Sequence, residues 1–173
     1  MSRAKQLANH IERTVTGPMW HGPALVDVLA GVTAGRARQR PVAGAHSIWE
    51  LVLHITVWSD IARQRIKGQA TGDPTPEQDW PPVTSSVAGP VPGSDPKSGS
   101  DPASSDPAET DWRLAVERLG ESHRQLAADV RLLDDAQLDA LVPGLKYSVS
   151  VLLSGVVEHG TYHGGQIALL KKA

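Results

Sequence analysis

Apolar residues recur along most of this chain at helical spacing, and nowhere do they alternate in the two-residue rhythm of a strand. Leu7, Ile11 and Val15, four apart, predict a helix over residues 2–16 that stops at Gly17-Pro18. Pro23 suits the first turn of a second segment running through Leu25, Val28 and Leu29 to about Gly31. The two pieces read either as one interrupted helix or as two. Ser47 followed by Glu50 is a capping box, in which each side chain satisfies a free backbone N–H of the first turn. It opens a helix that runs to about Lys67 and ends at Gly68. Leu51, His54, Ile55, Trp58 and Ile61 form its apolar stripe, so His54 lies on the core side. A third helix is predicted from Thr110-Asp111 to about Arg131, with Leu114, Val116, Leu119, Leu126 and Val130 at its apolar positions. Asp134 and Gln137 repeat the capping box before Leu138 and Leu141, which predicts a short helix closed by the Pro143-Gly144 turn. The last helix is predicted from Ser148 to Lys171. Leu152, Val156, His159, His163, Gln166 and Leu170 follow one buried seam along it, which turns both histidines inward.

Residues 73–107 break this rhythm. Nine of the thirteen prolines fall between Pro74 and Pro107, and Ser-Asp-Pro occurs three times, so the composition excludes a helix or a buried strand there. Residues 83–107 read as a long surface loop that carries no chemistry. The expectation is one domain over 1–173 of all-α class, most simply an antiparallel four-helix bundle with short extra helices and one Pro/Ser-rich loop.

Composition narrows the function. There is no cysteine, which excludes disulfides, thiolate catalysis and a sulfur-ligated zinc site. A net charge of -2 gives no reason to expect nucleic acid or an anionic membrane surface as partner. The N-terminal residues are polar and lack an apolar signal core. No apolar run approaches the roughly 18 residues of a membrane span, so a cytoplasmic protein is expected. Phenylalanine is absent, so the aromatic core is expected to rest on five tryptophans and two tyrosines.

The chemistry gathers on three histidines. His159 and His163 are four apart, so on a helix their Cβ atoms lie about 5–6 Å from each other on one face, close enough to share a metal ion. His54 is the best third ligand, and His10, on the core side of the first helix, is the reserve. A lone inward histidine is usually a hydrogen-bonded core residue. Three together would repel if protonated, whereas a divalent cation takes up their lone pairs. Gly155, Gly160, Gly164 and Gly165 fall within one helix at a cost of about 0.8–1 kcal/mol each relative to alanine, which calls for a close helix approach or a ligand pocket. Two familiar metal patterns do not fit. The residue after His159 is Gly160 where a zinc protease helix has its glutamate base, and Glu158 is wrongly spaced for a di-iron site. A mononuclear three-histidine site remains, with open positions for water or substrate. Glu50, Trp58, Glu158 and Gln166 are candidates to orient the histidines, line the pocket or move a proton. His21, His46 and His123 are read as surface or capping residues.

The segments Pro41-Val42-Ala43-Gly44-Ala45-His46-Ser47-Ile48-Trp49-Glu50-Leu51-Val52-Leu53-His54 and Val157-Glu158-His159-Gly160-Thr161-Tyr162-His163-Gly164-Gly165-Gln166-Ile167 resemble the DinB-like superfamily of bacterial metal-binding four-helix bundles. The resemblance spans nearly the whole chain outside the Pro/Ser-rich loop. It implies that His54, His159 and His163 hold a divalent ion, zinc or nickel, with water or a ligand completing the coordination. It also implies a homodimer. Some relatives are thiol-dependent transferases that join a low-molecular-weight thiol to an electrophile, and others are labelled hydrolases. Three functions therefore compete: a metal-dependent enzyme acting on a small electrophile, a non-catalytic protein whose ion ties two helices together, and a partner-binding module.

Overall fold

The computed structural model describes residues 1–83 and 106–173, and among them the regular structure is entirely helical. In chain order the helices are α1 (Arg3–Thr16), α2 (Leu25–Leu29), α3 (Ala34–Arg38), α4 (Ile48–Ile66), α5 (Pro76–Asp79), α6 (Pro107–Val130), α7 (Asp135–Asp139) and α8 (Val149–Leu170). Both capping boxes read from the sequence form. Ser47 Oγ accepts from the Glu50 N–H at 3.2 Å while Glu50 Oε2 accepts from the Ser47 N–H at 2.8 Å, and Asp134 and Gln137 repeat the exchange. The N-terminal segment resolves into two helices, α1 and α2.

One boundary and two short helices differ from the sequence reading. Helix α6 begins at Pro107, three residues earlier than expected, because Asp106 caps it and proline is tolerated in a first turn. The same device builds α5 inside the proline-rich segment. Thr75 and Gln78 form a capping box around Pro76 at the first helical position. Proline density alone therefore misled, since a proline opens a helix when a cap precedes it. Helix α3, capped by Thr33, was also unanticipated. Most of the expected 83–107 loop lies outside the described residues.

The four long helices pack in a ring: α1 and α4 each lie against both α6 and α8. The expected antiparallel order is not what forms. Trp49 meets Trp112 near the start of α4 and α6 with ring centres 5.2 Å apart, while Arg63 near the end of α4 bonds Asp129 near the end of α6 at 2.6 Å. These two helices run parallel. Likewise Arg3 bonds Asp139, whose neighbour Ala140 accepts from Val149 at the start of α8, while Thr14 approaches Gly160, so α1 and α8 run parallel. The stretch between α4 and α6, more than thirty residues, is long enough to return the chain to the end where α4 began.

Along α8 the apolar partners change. Val149 to Val156 belong to one cluster with Ala62, Leu126 and Leu138, whereas Ile167 and Leu170 belong to another with Trp49, Trp112 and Leu119. His159 and His163 fall in the gap between the two. The aromatic residues do not make the core as expected. Trp49 and Trp112 are buried in it, Trp80 and Tyr147 pack half-buried against its edges, Trp58 lines a cavity, and Tyr162 and Trp20 are exposed.

The glycines of α8 divide by environment. A Cβ at Gly160 would lie 2.6 Å from Thr14 Cγ2, and one at Gly164 3.1 Å from Leu25 Cδ2, so α1 and α2 approach the helix closely there. Thr14 cannot move aside easily, since its hydroxyl donates to the His10 carbonyl at 2.9 Å and its side chain is buried. A Cβ at Gly155 or Gly165 meets nothing within 4 Å. Gly160→Ala is therefore expected to destabilise by about 1–3 kcal/mol through overpacking, whereas Gly155→Ala is expected to stabilise by up to about 1 kcal/mol through helix propensity. Urea unfolding of both variants checks the opposite signs.

Candidate metal centre

Helix α4 brings His54 into the ring from one side, and α8, antiparallel to it, brings His159 and His163 from the other. One ligand atom from each of the three side chains falls within 4.8 Å of the others. His54 Nε2 and His159 Nε2 are 2.9 Å apart, and the ring of His163 stands edge-on to both. His54 and His163 are buried.

Two of the remaining nitrogens are committed. His54 Nδ1 lies 2.7 Å from the Asp79 carbonyl oxygen, and His163 Nδ1 lies 2.6 Å from Gln166 Oε1. Both partners are acceptors only, so each Nδ1 carries the proton and donates it, leaving the Nε2 lone pair free. Burial is the main force holding all three rings in their neutral form. It lowers the pKa of His54 and of His163 from the usual histidine value. His159, which also faces the other two imidazoles, is pushed down to about 3. Neutral imidazoles with aligned lone pairs are the donor set a divalent cation requires, so the residues present fit a metal.

The support around His54 comes from the proline-rich segment just before the expected loop. Asp79, the last residue of α5, offers its carbonyl to His54, places Oδ1 at 3.2 Å from the same Nδ1, and accepts from Trp58 Nε1 at 2.7 Å. Trp80 then stacks face to face on His54, ring centres 3.9 Å apart, and its ring also stacks on His46 at 3.5 Å. Sequence reasoning missed both residues. The signals were a capped turn at Thr75-Pro76 and a tryptophan set in a low-complexity stretch.

The other candidates separate clearly. Gln166 touches His163, and Trp58 lines the pocket beside the cluster. Glu50 is occupied by the Ser47 cap and by Arg40, one turn before His54, with no contact to the three histidines. Glu158 is exposed and lines a different groove together with His10 and His21. The reserve ligand His10 is itself exposed and turned away from the cluster, because the buried face of α1 is carried by Ala4, Ala8, Ile11 and Val15. His123, expected as a surface or capping residue, is 1% exposed on α6, where its Nδ1–H donates to the Leu119 carbonyl at 3.0 Å and its Nε2 has no partner among the described residues.

A cavity of about 480 Å³ opens against the three histidines, lined further by Trp58, Tyr147, Val151, Leu152, Gly155 and Val156, with Asp79 at the histidine end. Gly155 keeps it open, which accounts for that glycine as packing accounts for Gly160 and Gly164.

Three histidines at the edge of an apolar cavity in a helical protein make up a candidate metal-ligand set. A family model described as the DinB superfamily matches residues 20–167, and the chain belongs to that superfamily. No curated protein and no solved structure matches it. Among the described residues no helix is long and apolar enough to cross a membrane.

Two outcomes are expected. Gln166→Leu leaves His163 Nδ1–H without its acceptor and should weaken zinc affinity about tenfold, read by competition with a chromogenic chelator. Burial lowers the His123 pKa from 6.5 to about 4. Above 6.5 the ring is neutral whether folded or unfolded and adds no pH dependence. Below 6.5 the unfolded chain takes up a proton that the folded protein refuses, so stability falls until the pH reaches the folded value. Between pH 6.5 and 5 this one ring should cost about 2 kcal/mol. Urea unfolding of metal-free protein at pH 7 and 5 should show a loss about 2 kcal/mol smaller in His123→Leu than in the wild type, the part that remains coming from His54, His159 and His163.

Proposed function

We propose that this protein is a metal-dependent enzyme that activates a thiol or water against a small electrophilic substrate, in the manner of the thiol S-transferases or hydrolases of its superfamily. The observation that carries the reading is the cavity: the three histidines form one end of an apolar chamber large enough for a small organic molecule. An ion that only tied two helices together would need no such chamber. His54, His159 and His163 would hold the ion, zinc or nickel, since neutral imidazole suits both. Bound there, a divalent ion supplies a Lewis acid that lowers the pKa of a thiol or water.

The chain's own residues have separable duties. Asp79 and Gln166 hold the proton on Nδ1 of His54 and His163 and so fix which nitrogen faces the site. Trp80 covers one face of the His54 ring and keeps water from it. Trp58, Val151, Leu152 and Val156 exclude water from the chamber and hold an apolar substrate portion. The reading extends to a homodimer, supported by the resemblance of the chain to its superfamily, and to the cytoplasm, for which the absence of cysteine is the support.

Elemental analysis of untagged protein, never exposed to a nickel column, tests the site. Near one ion per chain is expected in the wild type and near none in His54→Ala and His163→Ala, with helical content retained by circular dichroism. No ion in the wild type overturns the reading. One ion with a large loss of thermal stability on chelation, and no turnover with any thiol–electrophile pair or ester, favours the non-catalytic alternative.

A further inference from the structure

Behind the wall of the same chamber, against Tyr147, lies a buried cation that the metal site does not use. Arg65, at the end of α4, is 1% exposed. Its Nη1 donates to the Tyr147 hydroxyl oxygen at 3.0 Å and its Nη2 to the Gly72 carbonyl at 2.6 Å, while its guanidinium carbon lies 5.6 Å from the centre of the Trp58 ring. Its Nε is buried without a partner among the described residues. The carboxylate that reaches it, Asp73, stands 3.9 Å away on a side chain 92% exposed. A guanidinium is charged at every relevant pH, so this site buries a positive charge with, among the described residues, only a distant, hydrated counter-ion.

Tyr147 passes that charge to the chamber. Its ring lines the wall, and a tight turn holds it in place, with the Val142 N–H donating to the Tyr147 carbonyl at 3.0 Å. The hydroxyl oxygen already accepts from Arg65, and the hydroxyl proton has no acceptor among the described residues. A phenol that accepts from a cation becomes a stronger donor. Between Tyr147 and the histidines the wall is apolar, formed by Trp58, Val151, Leu152 and Val156. The carboxylate of Asp79 lies at the opposite, histidine end.

We infer that the chamber takes a small, mostly apolar molecule bearing a carboxylate, bound with a carboxylate oxygen accepting from the Tyr147 hydroxyl and its apolar body along the Trp58–Val156 wall. The inference rests on the chamber being the substrate site, as proposed above. A carboxylate fits better than a neutral oxygen because it supplies the negative charge that Arg65 lacks. Tyr147 is then a specificity-determining residue, and Arg65 a positioning residue acting through it.

Calorimetric titration of the full chain as purified, with 4-phenylbutyrate, its primary amide and 4-phenylbutylamine, tests this. Wild type is compared with Tyr147→Phe, which keeps the ring, and with Gly155→Leu, which fills the chamber from a position where an added side chain meets open space. The wild type should bind the acid more tightly than the amide or amine. Tyr147→Phe should weaken the acid about tenfold and the other two less than twofold. Gly155→Leu should bind none of them while its melting temperature does not fall. Equal acid affinity in wild type and Tyr147→Phe, equal weakening of acid and amide, or no acid binding by the wild type each overturns the inference. A bound ion's own preference for carboxylate persists in Tyr147→Phe and cancels from the comparison. An ion found by elemental analysis with no Tyr147 effect leaves the metal reading standing and removes this one; a selective Tyr147 effect in a protein that holds no ion does the reverse.

Discussion

Three imidazoles share one largely buried space in this protein, and burial there favours the neutral ring. The Asp79 carboxylate stands 3.2 Å from His54 Nδ1, yet burial outweighs it, and each ring has its pKa lowered chiefly by burial. Neutrality makes the position of each remaining proton matter. The Asp79 carbonyl and the Gln166 side chain settle it for two of the rings by accepting from Nδ1. The surrounding structure supports this arrangement by keeping water out and lone pairs inward.

The helix ring is arranged to serve that space. Histidines on α4 and α8 face each other because those helices run in opposite directions across the gap between two apolar clusters. Behind α8, Gly160 and Gly164 let α1 and α2 pack closely. On the other side Gly155 leaves room for the chamber. One helix thus uses the same residue type for opposite ends, tight packing on one face and a cavity on the other. Short α5 closes the arrangement by bringing Asp79 and Trp80 onto the back of His54.

Polar and apolar roles divide along the chamber. One end offers lone pairs to a cation, and the other places a phenol hydroxyl in front of a buried guanidinium. Between them lie aromatic and aliphatic walls. Such a layout discriminates by the ends of a ligand and tolerates variation in its middle. Membership of the DinB superfamily is consistent with the cation end.

Local rules were enough for much of this. Helix existence, the caps at Ser47 and Asp134, the inward turn of His54 and the pairing of His159 with His163 follow from spacing within about one or two helical turns, because neighbouring side chains on a helix have a fixed geometry. The histidine pair was legible for that reason, and so was the demand that the glycines of α8 have a cause. Tertiary structure decided the rest. Asp79 meets His54 across 25 residues and Arg65 meets Tyr147 across 82, distances over which periodicity carries no signal. The parallel course of α4 and α6 depended on a long connection that composition described only as proline-rich. His123 is buried and His10 exposed because the ring of helices, not the pattern of either helix alone, decides which side is inside.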